Sequence, residues 1–72
     1  MTEQLEPPGS AMVRLMAARG ELKALLAQGD VFLGQVDEIA QRHELATDLL
    51  LSEVRIDPSC TIDYVVGVVR CR

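Results

Sequence analysis

Few residues in this chain are of types that do chemistry, and their surroundings decide what they could do. They are Cys60 and Cys71, the lone His43, and the close carboxylates Asp37-Glu38 and Asp57/Asp63. A nucleophilic cysteine needs a neighbouring base or positive field to become a thiolate. Cys60 instead has Asp57, Pro58, Ser59 and Asp63 nearby, and acids raise a thiol's pKa. No CxxC or Cys/His spacing suggests zinc. The best-placed acids for His43 are Glu44, which points elsewhere on a helix, and Asp48 or Glu53 further on, so it reads as a half-buried structural histidine. Neighbouring carboxylates on a helix diverge, and no Gly-rich phosphate cradle accompanies any of these pairs. The expectation is a chain with no catalytic residue, no metal ligand and no cofactor, acting by contact and not as an enzyme.

The elements that would present such contacts must be few. Seventy-two residues, 49% hydrophobic but with one Phe, one Tyr and no Trp, allow one small core of Leu, Val, Ile, Ala and Met. Cores of this size supply only about 3–5 kcal/mol, so a second chain is expected to complete it. Residues 1–9, ending Pro7-Pro8-Gly9, read as a flexible lead-in, and residues 10–72 as a single domain. The start has neither a basic nor an apolar run, no stretch could span a bilayer, and two cysteines make no disulfide framework. A soluble cytoplasmic chain with no membrane partner is the expectation.

The apolar spacing of Met12, Leu15, Met16, Leu22 and Leu26 predicts a helix over about 11–28. Arg19 falls inside this stripe and Gly20 follows it. Gly29-Asp30 ends that helix and caps a second over about 31–45, carrying Phe32, Val36, Ile39, Ala40 and His43 on one face. The span Leu49 to Ile56 reads as helix or strand, with a strand favoured at its end. After the turn signal Asp57-Pro58-Ser59, Thr61 to Arg70 is the richest β-branched run in the chain. Read as one strand, it puts Ile62, Tyr64, Val66 and Val68 on one face and Val65, Val69 and Cys71 on the other. Cys60 and Cys71 would then lie roughly 35 Å apart at about 3.3 Å per residue.

Within Gln35 to Leu51, the placement of Ile39-Ala40, Leu45 and Leu50 is similar to the helix-turn-helix segment of transposase accessory proteins and small repressors. Ala40 falls at the small packing position, and Thr47 is a candidate cap for the second helix. Glu44 stands where the turn usually has Gly, and His43 where an apolar residue is usual. The would-be reading helix, Thr47 to Val54, offers no Arg, Lys, Asn or Gln before Arg55, whereas groove readout needs such donors. Between Asp30 and Asp63 eight acids face only Arg42 and Arg55, which opposes approach to phosphates.

The fold class expected is therefore α+β: two antiparallel helices followed by a C-terminal β-hairpin or a single long strand, with oligomerisation or a partner completing the core. The partner expected is another protein, in a homodimer or a heteromeric complex. It would be held through the strand residues Ile62, Tyr64, Val66 and Val68 and the acidic residues Asp37, Glu38 and Glu44. The competing reading is a winged or simple helix-turn-helix regulator, with Arg42, Arg55, Arg70 and Arg72 on DNA phosphates.

Overall fold

The computed structural model describes residues 10–72; the expected lead-in, 1–9, lies outside them. Helix α1 (Ser10–Leu26) buries Leu15, Ala18 and Leu22 along one side. Gly20, on the exposed side, does not interrupt it. Gly29 reverses the chain at φ +148°, a conformation that L side chains rarely adopt. Strand β1 (Val31–Phe32) then leads directly into α2 (Leu33–Arg42), followed by α3 (Thr47–Arg55), β2 (Cys60–Asp63) and β3 (Val68–Cys71).

The strands form an antiparallel sheet in the order β1-β3-β2. Val31, Cys60, Ile62 and Val69 turn inward, and β3 pairs Val69 with both Val31 and Ile62. These side chains meet Leu22 of α1, Val36, Ile39 and Ala40 of α2, and Leu50, Leu51 and Val54 of α3 in one core. The architecture is mixed α+β, with the hairpin realised rather than the single strand.

Three expectations are corrected. The second helix starts two residues later, because Val31 and Phe32 are claimed by ladder bonds to β3, a long-range pairing that leaves no local period. Leu49 to Arg55 is helical, because Leu50, Leu51 and Val54 at three- and four-residue spacing meet α2 and the sheet. The β-branched run is broken at residues 64–67, which form a turn. There the Asp63 carboxylate accepts bonds from the N–H groups of Val65 (3.0 Å) and Val66 (3.1 Å), and Gly67 takes φ +82°.

This break brings Cys60 and Cys71 opposite one another as ladder partners joined by a disulfide, not to the two ends of a strand. The neighbouring bond from the Arg72 N–H to the Ser59 carbonyl (2.9 Å) makes theirs a non-hydrogen-bonded pair, where facing side chains come closest.

Helices α2 and α3 are joined by the four residues 43–46, and a two-stranded β-hairpin follows. The order is thus helix, strand, two helices and then a hairpin whose last strand lies in the middle of the sheet. In the turn, the Leu45 N–H donates to the Ala40 carbonyl (2.8 Å), and Ala40 is fully buried, as its small size allows. Glu44 adopts φ +56°, the left-handed conformation for which this position usually has Gly. Glu44→Gly is accordingly expected to raise stability by about 0.5–1 kcal/mol in urea unfolding, while Glu44→Ala, which keeps the Cβ, gives no gain.

Thr47 does not cap α3. Ala46 holds the N-cap position, and the Thr47 hydroxyl donates instead to the Asp37 carboxylate, fastening α3 to α2.

Candidate interaction face

The hairpin turn, here called the wing, is tied to both α2 and α3. The Leu33 N–H, at the start of α2, donates to the Gly67 carbonyl (2.9 Å), and the Arg55 guanidinium, at the end of α3, donates to the Tyr64 hydroxyl (3.1 Å). Several large apolar side chains on these elements stand in water. Val65 is 96% exposed, Ile56 74%, Phe32 64%, Val66 61% and Tyr64 60%; Leu49, on the outer side of α3, is 42% exposed. The wing's shape follows from its sequence, since Asp63 closes the turn with its carboxylate and Gly67 supplies the positive φ, which leaves Val65 and Val66 at the tip.

The structure separates the residues expected to bind a partner. Tyr64 and Val66 are in the exposed turn. Ile62 packs against the core, and Val68 is buried on the opposite side of the sheet, where its ladder partner is Phe32. Asp37 is engaged within the chain, accepting from Thr47 and from the Gln41 amide (2.8 Å). Glu38 and Glu44 are exposed on α2 and in the turn that follows it. Phe32, Leu49, Val65 and Ile56 are further large apolar side chains in water that were not singled out as contact residues. The Asp63/Gly67 turn signal, which would have placed Val65 at a tip, was the clue available for it.

The arginines suited to DNA phosphates are largely engaged inside the chain. Arg42 bonds Glu21, Arg70 bonds Asp30 (2.9 Å), and Arg55 holds Tyr64; Arg19, on α1, pairs with Glu53 (3.3 Å). His43 lies 3.0 Å from the same Glu21 carboxylate, and its hydrogen bond, followed by that of Arg42, holds Glu21 below the usual carboxylate range. His43 is half-buried, linking the turn to α1.

A groove of about 510 Å³ runs between α1, the end of α3 and the disulfide, lined by Arg19, Lys23, Glu53, Asp57, Cys60 and Cys71 among others. Asp57 there is held below the usual range by the Ser59 N–H, then by the Ser59 hydroxyl, with Lys23 and Arg19 adding to the effect. The cysteines lining it are bonded to each other, so neither is the thiol nucleophile considered from the sequence. Among the described residues no three His, Cys, Asp or Glu side chains converge as metal ligands, and no helix is long and apolar enough to cross a membrane. No protein-family model matches the chain, and comparison with curated proteins and with solved structures finds no match either.

Proposed function

We propose that this chain is a non-catalytic protein-binding module in which the wing and the outer side of α3 dock on another protein, in a heteromeric complex or a homodimer. The observation that carries this reading is the chemistry of the face. At the place where a winged helix-turn-helix would meet nucleic acid, the chain presents Val65, Val66, Tyr64 and Ile56 to water. A cluster of exposed aromatic and aliphatic groups at a protruding tip suits insertion into an apolar pocket. Asp48 on α3 and Glu38 and Glu44 further along favour a partner whose pocket has a basic rim. Main-chain strand addition, expected from a long apolar strand, has less to work with, because β2 and β3 are four residues each and β3 is already paired on both sides.

The second reading, a DNA-binding regulator, is favoured by the connectivity alone. In the cytoplasmic setting read from the sequence, Cys60 and Cys71 would be bonded only under oxidation.

A photo-crosslinker at Val65, in cells that make the chain, is expected to label a defined protein species, and Ile56→Lys or Val66→Lys to abolish that labelling without changing the melting temperature. Val68→Lys does not serve this purpose, since Val68 is buried and its loss tests folding. The same chain is expected not to bind random-sequence duplex DNA at low salt. Binding that weakens steeply with added salt would refute the protein-docking reading in favour of DNA.

A further inference from the structure

The disulfide stands where a small molecule can reach it without the chain unfolding. Cys60 and Cys71 are each half-buried, and both line the groove between α1 and the end of α3. At about 510 Å³ the groove lies in the range of pockets that take drug-sized ligands, so a thiol of a few carbon atoms passes. Lys23 and Ala27 of α1, and Ser59 and Arg72 at the open end of the hairpin, line it from exposed positions. The bond also sits at a margin of the sheet. Among the described residues β2 is an edge strand paired with β3 alone, and beyond the two cysteines the bond from the Arg72 N–H to the Ser59 carbonyl closes the ladder. Backbone at such an end opens locally more readily than the middle of a sheet.

We propose that the Cys60–Cys71 bond is a thiol-exchange site that works in the folded chain and makes folding follow the redox poise around it. The co-reactant is a small thiol. Its thiolate enters the groove and attacks one of the two sulfurs; a new S–S bond forms to that sulfur, the Cys60–Cys71 bond breaks, and the other cysteine leaves as a thiolate that takes up a proton. A second thiol attacks the mixed disulfide in the same way. The chain gains two electrons and two protons while two small thiols become one small disulfide.

The link to folding follows from where the bond lies. It closes a loop over a sequence separation of 11 residues and so stabilises the folded chain against the unfolded one. The two equilibria share one cycle, so folding must favour the closed bond by the same factor, on the order of a hundredfold in the chain-entropy account. The chain has two cysteines and both are in this bond, so no third thiol competes for it. Reduction therefore moves chains from the folded to the unfolded state, and oxidation draws them back. The bond is at the opposite end of the hairpin from Val65, and the inference does not depend on the docking proposed above.

The test is the rate at which β-mercaptoethanol opens the bond in the oxidised full chain, read as thiols that take up an alkylating reagent, without urea and in concentrated urea. Exchange through the groove is expected to be slowed by folding no more than about tenfold. Exchange that waits for unfolding would be slowed by the whole folding equilibrium constant, roughly a thousandfold or more. A slowing beyond about tenfold would overturn the proposal. Ala27→Trp adds bulk at an exposed position lining the groove, and is expected to slow opening at least about fivefold while the urea midpoint of the oxidised chain stays the same. An unchanged rate in that variant would rule out the groove as the route. In mixtures of reduced and oxidised β-mercaptoethanol, opening half of the folded chains is expected to need a balance about a hundredfold more reducing than in urea. Equal balances would show that folding does not follow the bond.

Discussion

Replacing Cys60 and Cys71 together by serine is expected to lower the stability of the chain by about 3 kcal/mol in urea unfolding. The bond closes a loop over a sequence separation of 11 residues. Closing a loop of that length removes unfolded-chain entropy worth about 3 kcal/mol at 25 °C in the chain-entropy account. A core of this size contributes only about 3–5 kcal/mol. Opening the bond therefore takes away a large fraction of what holds the fold, and the double variant should show a substantial unfolded population at 37 °C. Adding dithiothreitol to the unsubstituted chain should shift the urea midpoint by the same amount and leave the double variant unmoved. Equal midpoints with and without reductant would show that the hairpin is held by its ladder and the core alone.

Leu50→Ala is expected to cost about 2–5 kcal/mol, enough to unfold much of the chain, because the fully buried Leu50 side chain lies in the core between α3 and its neighbours. Leu49→Ala, one residue earlier and 42% exposed, is expected to cost under about 1 kcal/mol. The contrast reads the orientation of α3 directly. Similar losses at both positions, in thermal or urea unfolding, would mean that the helix is rotated from the orientation that presents Leu49 and Ile56 outward, and the docking face would have to be redrawn.

How much could be read beforehand depends on whether the cause was local. The helical spacing of Met12, Leu15, Met16, Leu22 and Leu26 announces α1, although Met12 and Met16 turn out to face water, because the side that meets the core is Leu15, Ala18 and Leu22; Val36, Ile39 and Ala40 announce α2, while Phe32, read on the same face, is exposed in β1. Glu44, a departure by residue type from the helix-turn-helix pattern read in the sequence, keeps it by conformation, as its φ of +56° shows. What was missed rests on pairing at a distance. Val31 and Phe32 become a strand only because Val69 and Val68 lie across from them, and a two-residue strand has no period to detect. The run from Thr61 to Arg70 looks like one strand because Tyr64, Val65 and Val66 have strand-forming side chains. A carboxylate at Asp63 and a glycine at 67 outweigh that propensity and fold the run in two. The error carried over to the site, since alternation along an unbroken strand grouped the buried Ile62 and Val68 with the exposed Tyr64 and Val66.

The position of the disulfide relative to the wing tip bears on how the molecule would survive cutting. Val65 projects fully into solvent from a turn of four residues, the sort of backbone a protease reaches first. A nick there would separate β2 from β3 in the chain, yet Cys60 and Cys71 lie at the far end of the hairpin and would still join the two pieces, with the ladder and core between them. The clipped protein would persist as a two-chain molecule of unchanged mass apart from one added water, and would come apart into its fragments only when unfolded in the presence of a reductant.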